Sequence, residues 1–275
     1  MWYTYRHYKK GERMFKTIVP ITLERHKNKK IKPINNFEFA KGVHIASVMA
    51  HEFPKVASVY PIVFIEDKAN DEFKPVAMLG LEQGENLFLS DDAKKWNASY
   101  IPAIIRRYPF ALAKSGEENR FTVCIDETSE FLNDSEGEAL FNEDNTPAPT
   151  IEKVKQYLSE LHQMDLFTTA FCHFLKENNL FTPLNMKVRV KNEMKNISGA
   201  YVINEERLNS LSDEKFIDIK NKRYLSVIYS HLSSLAQIER LLGFKDKSLL
   251  ETAKIEERFE EINDSTKAES KKTKK

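Results

Sequence analysis

The sequence predicts an α+β fold, a mostly antiparallel sheet from the first half of the chain with two long amphipathic helices of the second half packed on it. Two observations carry this. Between Tyr60 and Ile125, short runs rich in Val, Ile and Phe are separated by turns too brief for the helical crossovers that a parallel sheet requires. Beyond residue 149, apolar residues recur every three or four positions along 151–175 and again along 225–242, each a helical stripe. Material for a core is ample, with 18 Phe and 10 Tyr in 275 residues.

In chain order, residues 1–13 show neither helical nor strand periodicity and are expected to be a loose extension, or to precede a true start at Met14. Residues 1–32 hold ten Lys or Arg against Glu12 and Glu24, and the run from His26 to Lys32 suits a solvated loop or an anionic surface contact. Phe37 and Phe39, alternating with Glu38, suggest a short strand. Apolar positions 45, 48, 49, 53 and 56 have helical spacing interrupted by Pro54. Ile62–Ile65 and Pro75–Leu79 form a hairpin across a polar loop. Gly80 and Gly84 are expected at turns, because neither phosphate-cradling glycine pattern is present. Tyr100–Tyr108 suits a short helix, and Phe121–Ile125 is a strand. The acidic stretch 133–149, ending in Thr-Pro-Ala-Pro, is a candidate sub-boundary.

Thr150 is expected to cap the first long helix, which runs to Asn178–Asn179 ahead of Pro183. Leu184–Val190 alternates apolar and polar residues, with Ile197–Ile203 as its hairpin mate. Asn204 and Ser212 are placed to cap short helices, and the second long helix, 224–242, is expected to stop at Gly243. From Glu251 onward charge dominates. The domain limits that follow are 1–13, 14–250 and a charged tail at 251–275.

The polar residues set into the apolar stretch 60–110 need partners if they are buried. Glu82, Glu85, Asn86, Trp96, Arg106, Arg107 and Tyr108 are the candidates for ligand or partner binding, joined by His231 on the apolar side of the second long helix and by His26. A planar guanidinium suits a carboxylate, so one of Arg106 and Arg107 is expected to pair with Glu82 or Glu85. His44 and His51 lack a zincin spacing, and Cys124 and Cys172 lack a CxxC spacing. No metal and no cofactor is expected.

The succession Tyr60-Pro-Ile-Val-Phe64, Leu79-Gly-Leu-Glu-Gln-Gly-Glu-Asn-Leu-Phe88 and Tyr100-Ile-Pro-Ala-Ile-Ile-Arg-Arg-Tyr-Pro-Phe110 resembles the SapC family of bacterial proteins. The resemblance continues through Ser198–Glu205 and Tyr229–Leu235, covering about residues 14–243. It implies a link to surface-layer protein export or outer-membrane systems, and hence a protein partner, but no reaction.

Basic and acidic residues number 42 and 41, so no global field favours nucleic acid, and none is expected as a partner. No apolar run is long enough to span a bilayer, and the mixed basic and aromatic N-terminus is not a secretory signal. The expected place is the cytoplasm, free or peripheral to the inner membrane. Two functions are weighed. One is a non-catalytic accessory or binding protein. The other is an enzyme, or a small-molecule or peptide binder, using a polar pocket from residues 80–108, with Glu82 and Glu85 as an acid/base pair.

Overall fold

The computed structural model describes residues 14–114, 121–190 and 193–247; the expectations for 1–13 and 251–275 lie outside these. In chain order the elements are β1 (Ile18–Pro20), α1 (Leu23–His26), β2 (Lys30–Ile31), β3 (Ile45–Ser47), α2 (Phe53–Ala57), β4 (Ile62–Asp67), β5 (Glu72–Met78), α3 (Ala103–Arg106), β6 (Phe110–Lys114) and β7 (Phe121–Asp126). There follow β8 (Leu132–Asn133), β9 (Glu138–Ala139), α4 (Pro149–Glu177), β10 (Phe181–Val190), β11 (Glu193–Ile203), α5 (Glu205–Asn209), α6 (Asp213–Asn221) and α7 (Leu225–Ser234). A further helical stretch occupies 237–247.

The strands form antiparallel sheets, as the short turns require: a five-stranded sheet ordered β10-β11-β4-β5-β3 and two three-stranded sheets, β1-β7-β6 and β8-β2-β9. The main sheet recruits the 181–203 hairpin alongside the first-half strands, and α7 packs on β4 and β11. Helix α4 holds the parts together. At about 1.5 Å per residue its 29 residues span roughly 43 Å, enough to cross from one core to the other. Its first half gives Ile151, Leu158 and Leu161 to a core that includes Tyr108, Ile125 and Phe131. Its second half gives Phe171, Cys172 and Leu175 to the core of the main sheet. The chain enters this frame under a buried anchor. Asp126, with no exposed surface, accepts the backbone N–H of Lys16 at 2.7 Å and of Thr17 at 3.0 Å.

Several local expectations are corrected. Phe37–Phe39 is not a strand; Asn36 Oδ1 accepts the Glu38 N–H at 3.2 Å and Glu38–Ala40 forms a single 3-10 turn, local side-chain bonding having outcompeted extension. The helical spacing over 45–56 resolves into β3, a 3-10 turn at Ala50–Glu52 and α2, because Pro54 opens a helix instead of interrupting one. Thr150 is not the cap of α4: Ala148 holds that position, and the Thr150 hydroxyl donates to Glu138 at 2.6 Å. The second long helix breaks after Ser234, whose hydroxyl donates to the His231 carbonyl at 2.6 Å while accepting the Ile62 N–H at 2.9 Å. Helix resumes at 237 and Gly243 lies inside it, not at its end. Asn204 caps α5 as expected, accepting from the Arg207 N–H at 2.8 Å.

Candidate functional site

A groove of about 300 Å³ opens where three segments meet: the loop following β2, the α3–β6 junction and the first half of α4. Its charged walls are Lys32, Arg106, Arg107 and Lys153; its apolar walls include Ile34, Pro109, Val154 and Leu158, with Tyr108 and Tyr157 between. None of the residues lining it is acidic.

Arg106 is placed by a relay that starts in the core. Glu52 is buried at 7% exposure. One of its oxygens accepts the Met49 N–H at 2.9 Å, and the other accepts the Ala103 N–H at 3.0 Å and the Tyr100 hydroxyl at 2.7 Å. Arg106 Nη2 then donates to the Tyr100 oxygen at 3.3 Å, and its Nε donates to the Ile101 carbonyl at 3.0 Å. The guanidinium lies 5.6 Å from the Tyr100 ring centre and 5.9 Å from that of Tyr157, within cation–π range. Burial, and then the hydrogen bond to Glu52, push the Tyr100 phenol up to about 12. Burial likewise raises Tyr108 and Tyr157. These phenols therefore stay protonated at neutral pH. Arg107 sets its guanidinium 5.4 Å from the ring centre of Phe15, and Tyr108 stacks on Phe39 at 4.0 Å. Among the described residues Arg106 and Lys153 make no ion pair, and Lys32 approaches Glu136 only at 3.9 Å.

Of the residues singled out in the sequence, Arg106, Arg107 and Tyr108 line this groove; the others are placed elsewhere and bonded within the fold. Glu85 ties down the turn after β5, one oxygen accepting the N–H of Leu81 at 2.7 Å and of Glu82 at 2.8 Å. Gly80 is required there, since a Cβ would stand 2.6 Å from the Glu85 carbonyl oxygen. The pairing expected between Glu82 or Glu85 and an arginine falls to Lys245, 3.2 Å from Glu82 and 2.5 Å from Glu85. Arg106 is instead held by a carbonyl and a phenol. Asn86 joins the Ala40 carbonyl to the Phe88 N–H, and Trp96 Nε1 donates to Tyr60 at 2.6 Å. His231 is fully buried and accepts the Ile203 N–H from β11 at 3.0 Å. His26 is no surface contact. It is buried at 1% exposure, its Nδ1 lies 3.2 Å from the Thr22 backbone, and its Nε2 is 3.4 Å from a Glu127 oxygen without hydrogen-bond alignment.

Lys153, Tyr157, Glu52 and Lys245 were not identified as candidates from sequence. Lys153 and Tyr157 fall one turn apart on α4, a spacing that gains meaning only once the opposite wall is known.

Burial acting alone would lower the Lys245 pKa, but its bonds to Glu85 and Glu82 outweigh that and raise it. Lys245→Met is expected to cost about 1 to 2 kcal/mol: Glu82 is half exposed and partly screened, and Glu85 keeps two backbone donors. Urea midpoints check this, and an unchanged midpoint refutes it.

Among the described residues, no group of three or more His, Cys, Asp or Glu is placed to hold a metal ion, and no helix is long and apolar enough to cross a membrane. Comparison with curated proteins and with solved structures finds no match to this chain. The sequence model of one family does match, over residues 21–241, which contain the main sheet, α4 and every wall of the groove. The chain belongs to the SapC family.

Proposed function

We propose that this SapC-family chain is a non-catalytic accessory protein that holds a protein partner in the groove beside α4, in the setting of surface-layer export or outer-membrane systems that the family resemblance implies. One observation carries the reading: the groove presents four cations and apolar walls, without a carboxylate, imidazole or thiol to act as base or nucleophile. Its phenols are raised away from the range in which they could take a proton. The residues expected to do acid/base work, Glu82 and Glu85, are occupied by Lys245 and by the backbone. We further propose that the protein works in the cytoplasm or at the inner face of the inner membrane, that its globular domain is 14–250, and that 1–13 and 251–275 are appendages to it.

The test is site-specific photocrosslinking in native cells, with a benzophenone side chain at Val154 in the groove or at Tyr229, which is 46% exposed on α7. A discrete adduct is expected from position 154, absent from position 229, and lost when Arg106→Met and Lys153→Ala are added. Equal labelling from both positions, or an adduct indifferent to the two substitutions, overturns the reading.

A further inference from the structure

Resting on that binding reading, we propose that the groove takes an acidic peptide segment of the partner, its carboxylates held by Arg106 and Lys153 and an apolar side chain set against Ile34 and Val154. Charge comes first. Four cations face one recess that no acidic residue lines, and among the described residues Arg106 and Lys153 have no ion pair. Arg106 and Lys153, like charges that no ion pair among the described residues offsets, repel each other, so the arrangement favours an anion brought from outside.

The geometry of Arg106 narrows the class. Its Nε is spent on the Ile101 carbonyl and its Nη2 on Tyr100, while Nη1 makes no hydrogen bond among the described residues. Two tyrosine rings and the Glu52 relay fix its plane. A guanidinium immobilised in advance loses less entropy on meeting a carboxylate.

The walls disfavour a phosphate. Phosphate sites draw on backbone N–H groups at loops and helix starts. Here Pro33 and Pro109 have none, and those of Val154, Tyr157 and Leu158 are spent inside α4. A bilayer is also a poor match, because a flat anionic surface is met by cations on freely moving side chains, whereas Arg106, though exposed, is tied to the Ile101 carbonyl and to Tyr100 beside walls that are largely apolar. About 300 Å³ is the lower limit for enclosing a small molecule, but it suffices for a few side chains of a segment that continues past the groove.

The test is fluorescence anisotropy with the full chain and a fluorescein-labelled octapeptide of alternating glutamate and leucine. Saturable binding is expected, weakened about tenfold or more by exchanging every glutamate for glutamine, and about tenfold by Arg106→Met or Lys153→Ala. Lys222→Ala, outside the groove, should leave it unchanged. Lys153 is exposed, so its variant should keep the wild-type thermal midpoint and remain informative if Arg106→Met does not. Inorganic phosphate displacing the acidic peptide at concentrations where the glutamine peptide does not, or vesicles rich in phosphatidylglycerol binding where the peptide does not, would overturn the acidic-peptide assignment. So would peptide binding that is indifferent to both groove variants, or absent up to about 1 mM. If the Val154 adduct persists in cells while the peptide does not bind, the ligand class is wrong and the binding reading stands; if both fail, both fall.

Discussion

Glu52→Ala is expected to lower stability by about 3 to 5 kcal/mol, the largest loss from any single polar substitution described above. The reason is the number of donors that converge on one buried side chain. The Met49 N–H, the Ala103 N–H and the Tyr100 hydroxyl all point at its two oxygens, and truncation leaves each without an acceptor. The three come from different places: the start of a 3-10 turn, the first residue of α3, and the loop before it. Losing Glu52 therefore detaches α3 from the segment that leads into α2, and with it the support for Arg106. Tyr100→Phe removes only one of the three donors and should cost about 1 to 2 kcal/mol. Urea denaturation of the two variants gives both numbers. A Glu52→Ala midpoint within error of wild type, or a cost no greater than that of Tyr100→Phe, would refute this account.

The same relay separates what the sequence disclosed from what it did not. Turn lengths and apolar spacing report a residue's own neighbourhood, so the β4–β5 and β10–β11 hairpins, α4 and the Asn204 cap were all visible in it. His231 was legible for the same reason: a histidine on the apolar side of a helix must find a backbone partner, and Ile203 supplies one. Glu52 sits beside His51 and Pro54 and looks like any polar residue near a turn; its three donors are set by long-range packing. The Lys245 pairing spans 160 residues to Glu85. Two arginines near two glutamates made a plausible local pair, and a distant lysine took the place because the 237–247 helix lies over the turn after β5. Lys32 and Lys153 are ordinary surface lysines until α4 brings its first half against the β2 loop and α3. Charges assembled from three segments leave no periodic mark on the chain, whereas burial does.

Acid should unfold this protein through His231, and the sign follows from its surroundings. Burial is the main cause that lowers its pKa from 6.5 to about 3, and the nearby Ile62 backbone opposes the shift only in part. In the native state Nε2 accepts the Ile203 N–H, so the ring proton resides on Nδ1. A second proton on Nε2 would set one donor against another, in contact with the Phe64 ring and away from water. Because the folded value lies below the unfolded one, the unfolded chain binds the extra proton throughout the window between them. Stability is fully present above about pH 6.5 and falls as pH drops toward 3, at up to about 1.4 kcal/mol per pH unit from this residue alone. Carboxylates also titrate at the acid end, so the informative quantity is a difference between proteins. His231→Gln places an amide oxygen near the position of Nε2 and cannot take up a proton. Its stability should be lower than wild type at pH 7, yet it should decline less steeply between pH 6 and pH 4, so the two curves converge. Urea unfolding of both proteins at intervals across that range measures the slopes, and parallel curves would show that His231 is not the group whose protonation opens the core.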